Sequence, residues 1–220
     1  MFTTRFQTWV RRKAQGAARL LAALPLTPNM VTVGGMLATF VAAVLAGFGH
    51  LRWAGVVLGF AGTFDILDGA LARATNRSYP YGAFLDSTTD RGSEGAIYAG
   101  VAAFFLWRPG PFTRWEVLAC LFALAGSFLV SYVRARAQSL GFRCDSGLFA
   151  RPERVVLTVV ALLVGVPDLL GLVIAVLAVL TNLTALQRIF EVYQQARAER
   201  RSAAASPARP PAGAPKRPAR

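Results

Sequence analysis

Residues 65–90 read DILDGALARATNRSYPYGAFLDSTTD, and four aspartates in that stretch, Asp65, Asp68, Asp86 and Asp90, fall at the ends of long apolar runs. A bare carboxylate near the centre of a membrane helix costs about 2.5 to 3.5 kcal/mol on insertion scales, so four of them demand cations. Asp65 and Asp68 are three residues apart, and Asp86 and Asp90 four apart, which puts each pair on one helix face. If residues 73–82 fold the two helices antiparallel, the pairs converge. A set of hard oxygen donors with no nearby His or Cys suits Mg²⁺ or Mn²⁺ rather than zinc. Four carboxylates balance two divalent ions in charge, and two ions about 4 Å apart are a recurring device for phosphoryl displacement. Salt bridges to Arg73, Arg77 and Arg91, or an ion relay in a transporter, are the other uses open to the same acids.

The surrounding composition is that of a membrane protein. Of 220 residues 55% are hydrophobic and 16% charged, with a mean hydropathy of +0.45, whereas soluble domains average about 25% charged. The net charge of +13 is carried between apolar runs and at both ends of the chain. That distribution points to an anionic lipid surface and not to nucleic acid. Cys120 and Cys144 have neither metal-ligand spacing nor a disulfide framework and read as free structural thiols.

A spanning helix needs about 20 mostly apolar residues, and six stretches approach that length: 30–48, 53–71, 83–107, 115–136, 155–166 and 169–190. Pro167 and Asp168 are expected to turn the chain between the last two. The expected fold is therefore all-α and integral to the membrane, with six transmembrane helices in one domain over residues 27–196. Residues 1–26, with Phe2, Phe6 and Trp9 among Arg5, Arg11, Arg12 and Lys13, read as an amphipathic helix lying in the interface. Residues 197–220, rich in Ala, Pro and Arg, read as a disordered basic tail. Alternating the loops gathers most cations with the two termini, which places both termini on the cytoplasmic side of the cell's inner membrane.

The eight positions Asp65, Asp68, Gly69, Ala72, Arg73, Gly82, Asp86 and Asp90 fit D-x2-D-G-x2-A-R-x8-G-x3-D-x3-D without a departure. This pattern resembles the signature of the CDP-alcohol phosphatidyltransferases, and the resemblance extends from about Thr27 to Arg188. It implies that Asp65, Asp68 and Asp86 hold divalent metal, and that Asp90 both approaches the metal and removes the proton of an acceptor hydroxyl. The phosphatidyl group of CDP-diacylglycerol would then pass to an alcohol and CMP would leave, at a cytoplasmic site in a homodimer. Gly69, Ala72, Arg73 and Gly82 are implied to contact the nucleotide, as are Asn29 and Thr32 at the start of the first span. Asn29 is also a natural N-cap. Gly55 and Gly59, with small-x-x-x-small spacing, suit a helix interface.

Arg134, Arg136, Arg151 and Arg154 fall on the same side as the aspartates, and clustered guanidinium groups suit a phosphate, so the acceptor is expected to be a phosphorylated alcohol. Ser127 and Ser131, four residues apart, lead into that cluster. The stretches SYVRARA at 131–137 and RPER at 151–154 are similar to those of bacterial phosphatidylinositol-phosphate synthases and their archaeal relatives, which use inositol 1-phosphate. By that resemblance Arg136, Arg151 and Arg154 bind the inositol phosphate group, with Arg134 and Ser131 beside them. Gln138 and Glu94 depart from the pattern: an acid is usual at the first position and aspartate at the second. A phosphatidylglycerophosphate synthase using glycerol 3-phosphate is the main alternative, and a cation transporter the alternative of another class.

Overall fold

The computed structural model describes residues 26–75, 79–144, 147 and 151–205. The proposed interfacial helix falls outside that range, apart from its last residue, as do residues 206–220 of the tail. Among the described residues the protein is all helical: α1 (Pro28–Gly47), α2 (Leu51–Ala74), α3 (Pro80–Trp107), α4 (Thr113–Ser139), α5 (Arg151–Val164) and α6 (Pro167–Ala205).

Local chemistry sets the ends of these helices. Thr27, not Asn29, caps α1: its Oγ1 accepts a hydrogen bond from the Met30 amide at 3.3 Å, and Pro28 occupies the first turn. Proline suits that place because its missing N–H would have no intrahelical partner there. At the other end of α1, Gly49 adopts φ +85°, its amide bonds to Ala46 O and the His50 amide bonds to Leu45 O. That paired closure needs a residue at positive φ, which glycine supplies without a Cβ clash. The same closure ends α4, where Gly141 has φ +85° and the Phe142 amide reaches Ala137 O. Between α5 and α6 the turn is made by Gly165 at φ +71°, earlier than the sequence suggests, and Pro167 and Asp168 already belong to the first turn of α6.

Each helix packs along two others, and the close pairs form a closed cycle: α1 on α2, α2 on α5, α5 on α6, α6 on α4, α4 on α3, and α3 back on α1. The two aspartate helices are therefore not packed along each other, contrary to the simple hairpin expected from their short connection. Both rest on α1, and their facing sides are left free to line cavities. The core that holds the cycle is built of small and aliphatic side chains, with Ala42, Ala46, Ala54, Leu58, Val101, Phe104, Ala123, Leu162 and Leu177 all buried.

The outside of the cycle is apolar as well. Leu37, Val41 and Val44 on α1 and Leu172, Val179, Leu183 and Leu186 on α6 are all exposed. Apolar surface on that scale requires a lipid environment or a partner. Four helices, α1, α2, α4 and α6, are long and apolar enough to cross a membrane. Six spans were expected; α3 opens with a polar segment, and α5 has only 14 residues, about 21 Å at 1.5 Å per residue. Residues 197–205, expected in the tail, instead continue α6, as their Ala, Arg and Glu content favours.

Gly55 lies against α5 so closely that an added Cβ would sit 2.8 Å from the Leu163 backbone nitrogen, whereas one on Gly59 would meet only Val159 Cγ1 at 3.5 Å. Gly55→Ala is expected to destabilise the detergent-solubilised protein by about 1–3 kcal/mol and Gly59→Ala to leave it close to wild type. Thermal unfolding of the two variants side by side checks this.

Candidate functional site

Two cavities open between the aspartate helices. The first, of about 210 Å³, is lined by Pro28, Asn29 and Thr32 of α1, by Asp68, Gly69, Ala72 and Arg73 of α2, and by Tyr79, Gly82, Ala83 and Asp86 at the start of α3. All six residues assigned to the nucleotide from sequence thus face one space, together with two of the four aspartates. Because Thr27 takes the capping role, the Asn29 side chain is turned toward α3, and its Oδ1 would lie 3.5 Å from a Cβ on Gly82. Arg73 folds back over α2, with Nη1 3.4 Å from where a Cβ of Gly69 would be.

Asp68 is buried, and two donors hold its carboxylate. Thr32 Oγ1 donates to Oδ2 at 2.7 Å, and the Gly69 amide donates to Oδ1 at 2.5 Å. Thr32 therefore serves a carboxylate as well as the cavity wall, which the sequence does not reveal.

The second cavity, about 40 Å³, lies deeper between α2, α3 and α5. That volume suits one or two waters. Asp65, Glu94, Ser93, Tyr98, Arg151, Arg154 and Thr158 are among its lining. Arg151, the first residue of α5, is ion-paired to Asp65 of α2, and its Nη2 lies 2.7 Å from Asp90 Oδ1 of α3. Arg91 approaches Asp90 from the same helix at 3.7 Å. One guanidinium thus joins a carboxylate from each aspartate pair.

The aspartates are accordingly divided rather than converged. Asp68 and Asp86 face the wider cavity, and Asp65 and Asp90 meet on Arg151. Among the described residues no three acidic, histidine or cysteine side chains are placed to share one metal ion. Asp65 and Asp90 share the Arg151 guanidinium, which offsets their charge where they meet. The donor set still fits hard divalent ions, because it is all oxygen and a positive group already sits between two of its members.

Of the expected acceptor-phosphate residues, Arg151 and Arg154 line the second cavity together, and the other three do not join them there. Arg154 is 2% exposed and Glu94 7%, and Arg154 Nη2 donates to Glu94 Oε1 at 2.7 Å. Arg134 and Arg136 lie exposed on α4 and Ser131 is half-buried, and none of the three lines either cavity. Ser127 is fully buried within the bundle. Sequence reading treated Glu94 only as a departure, although Asp86, Asp90 and Glu94 extend one four-residue spacing. It also passed over Arg188, which is buried on α6 and donates to Val130 O at 2.7 Å.

The family model for CDP-alcohol phosphatidyltransferase matches residues 25–187, more than half of the chain. The chain belongs to the CDP-alcohol phosphatidyltransferase family. Among its curated relatives, a phosphatidylinositol phosphate synthase of Mycobacteroides abscessus is 42% identical over 134 residues, 60% of this chain and 59% of that protein. The corresponding Corynebacterium glutamicum protein is 38% identical over 66% of each chain. An archaetidylinositol phosphate synthase of Pyrococcus horikoshii is 37% identical over 69% of this chain and 77% of its own. The match thus spans about six-tenths of the first of these relatives. Among solved structures, the Mycobacterium tuberculosis phosphatidylinositol phosphate synthase with CDP-DAG bound superposes with a TM-score of 0.75 at 34% identity, covering 83% of this chain and 94% of that one. In complex with manganese and citrate the same protein gives a TM-score of 0.76 over 82% and 88%. The eight signature positions all fall inside the family match.

Thr32→Val removes the donor to buried Asp68, whereas Thr39 donates only to the Gly35 carbonyl of its own helix. A hydrogen bond to a charged group contributes about 1.5–3 kcal/mol. Thr32→Val is therefore expected to lower the thermal midpoint clearly more than Thr39→Val, read in detergent without added metal.

Proposed function

We propose that this protein transfers the phosphatidyl group of CDP-diacylglycerol to inositol 1-phosphate and releases CMP. The observation that carries the reading is the wider cavity, where Asn29, Thr32, Gly69, Ala72, Arg73 and Gly82 face the same space as Asp68 and Asp86. Small residues on one wall leave room for a nucleotide, and the Arg73 guanidinium supplies charge for its phosphate. The acceptor assignment rests on the resemblance of residues 131–137 and 151–154 to the inositol phosphate enzymes and on the names of the relatives above.

In this reading Asp65, Asp68, Asp86 and Asp90 hold two Mg²⁺ or Mn²⁺ ions, as the neighbour with manganese suggests. Bound divalent ions would offset the carboxylate charge and stabilise negative charge building on the phosphate oxygens. Asp90 takes the proton of the acceptor hydroxyl, and the resulting oxygen nucleophile attacks the β-phosphorus of CDP-diacylglycerol. The bond from that phosphorus to the bridging oxygen breaks, and CMP departs with the electron pair. Arg73 steadies the departing nucleotide, and Arg151, with Arg134, Arg136 and Ser131, meets the acceptor phosphate. Arg154, which lines the second cavity beside Arg151, belongs to the same set.

All six helices cross the inner membrane, with α5 shortest and α6 running beyond the bilayer. Residues 1–26 lie in the interface, and the termini and the site face the cytoplasm. A second copy of the chain covers part of the exposed apolar surface to form a homodimer.

Purified protein in detergent, given CDP-diacylglycerol and Mn²⁺, is expected to release CMP when inositol 1-phosphate is added and not with glycerol 3-phosphate. Asp90→Asn should lower that rate by at least about 100-fold, the scale of general-base catalysis, without loss of folded protein. Release driven by glycerol 3-phosphate instead would reassign the acceptor, and a wild-type rate in Asp90→Asn would remove the base.

A further inference from the structure

The end of the bundle away from the aspartates carries two further cavities, where the connections α1 to α2, α3 to α4 and α5 to α6 meet. One, of about 320 Å³, is lined by Arg52 and Trp53 at the start of α2, Arg108 after α3, Gly165, and Pro167 at the start of α6. The other, of about 500 Å³, is bordered by Arg108, Phe112, Glu116, Pro167 and Asp168. Arg108 and Pro167 belong to both, so the two spaces adjoin. Arg52 opens α2 and Asp65 stands in its second half, about 20 Å further along at 1.5 Å per residue. These cavities are therefore remote from the site described above.

Their charges are sorted by sign. Arg52 and Arg108 face the smaller cavity, whereas Glu116 in the first turn of α4 and Asp168 in the first turn of α6 face the larger. Acids suit a first helical turn, which accounts for their place but supplies no cation. Among the described residues no ion pair reaches any of the four. The Arg108 guanidinium instead lies 5.9 Å from the centre of the Phe104 ring. Arg52 crosses the turn at Gly165, where an added Cβ would sit 2.9 Å from its Cγ, and Glu116 lies against α6 at Gly171, where one would sit 2.8 Å from its Oε1. Two cations and two anions thus border adjoining spaces without neutralising one another. A single ligand carrying an anionic and an ammonium group side by side satisfies both.

The source of such a ligand follows from the aromatic residues around this end. Trp53, Trp107, Phe112 and Trp115 are all exposed, and Phe48 packs on Trp107 with ring centroids 5.5 Å apart. Exposed tryptophans at the end of a membrane bundle mark the level of the lipid headgroups. We propose that the adjoining cavities bind the headgroup of a zwitterionic phospholipid of the phosphoethanolamine class, in the leaflet away from the aspartates. Arg52 and Arg108 take its phosphate, since a guanidinium meets phosphate through two parallel N–H donors. Glu116 and Asp168 take its ammonium, which has donors enough for two carboxylates. The lipid thereby ties together the three connections at this end. An anionic headgroup would satisfy the arginines and set its charge against the two acids. The proposal is independent of the reaction proposed above.

The test follows the thermal midpoint of protein purified in detergent, without metal or CDP-diacylglycerol, as phosphatidylethanolamine, phosphatidylglycerol or free phosphoethanolamine is added. A ligand that binds only the folded state raises the midpoint, and phosphatidylethanolamine is expected to raise it at least about twice as far as phosphatidylglycerol. Free phosphoethanolamine at the same concentration should give little. Glu116→Gln combined with Asp168→Asn should reverse the order of the two lipids, and Arg52→Gln combined with Arg108→Gln should abolish the response to both. Should the paired acid variant not fold, Asp168→Asn alone, at an exposed position, is expected to narrow the difference between the lipids. Equal rises from both lipids in wild type would overturn the proposal. So would variants whose midpoint falls before any lipid is added while the wild-type order of lipids persists, the result of a purely structural role. A response to free phosphoethanolamine as large as that to the lipid would overturn the membrane as its source.

Discussion

Carboxylates on an apolar helix persist only where a cation or hydrogen-bond donors meet them, and the shape of this bundle follows from how that requirement is met. Asp65 and Asp90 stand on helices that do not pack along one another, and the Arg151 guanidinium joins them. Asp68 is satisfied differently, by a hydroxyl from α1 and its neighbouring amide. Each solution recruits another helix: α5 to deliver the arginine, α1 to deliver Thr32. The cycle of six helices brings these groups to one place while small residues such as Gly55 let α2 and α5 approach closely.

The division of the acids gives each cavity a distinct chemistry. Asp65 and Asp68, three residues apart on α2, border different spaces. Asp68 and Asp86 border a wide cavity whose walls are largely small residues, whereas Asp65 lines a narrow polar one with Arg151 and Arg154. A donor such as a nucleotide diphosphate needs the first kind of space, and an anionic acceptor needs cations such as those at the edge of the second. Between them lies the Arg151 bridge, which touches a carboxylate from each aspartate pair.

Much of this was legible before any coordinates, and the omissions have physical causes. The pairing of the aspartates could be read because spacing on helices fixes which side chains share a face, and the residues that share the wider cavity were picked out by the resemblance of the signature to the family pattern. The apolar runs gave all six helices to within a few residues except at the end of α6, which runs on to Ala205, since burial and lipid exposure impose the same composition. Which acid meets which base was not legible: the partner of Arg154, Glu94, lies 60 positions earlier on α3. Asn29 looked like a cap because its type permits it, yet Thr27 precedes Pro28 and takes that place. Residues 197–205 resembled a tail by charge, although alanine, arginine and glutamate are also good helix formers.

The central claim, that these aspartates form a divalent-metal site, is tested most directly by Mn²⁺ binding. Free Mn²⁺ can be followed by electron paramagnetic resonance as purified, metal-free protein is titrated. Wild-type protein should deplete the free signal stoichiometrically, and a variant carrying Asp65→Asn, Asp68→Asn and Asp86→Asn should leave it almost undiminished. Equal depletion by both proteins would contradict the account.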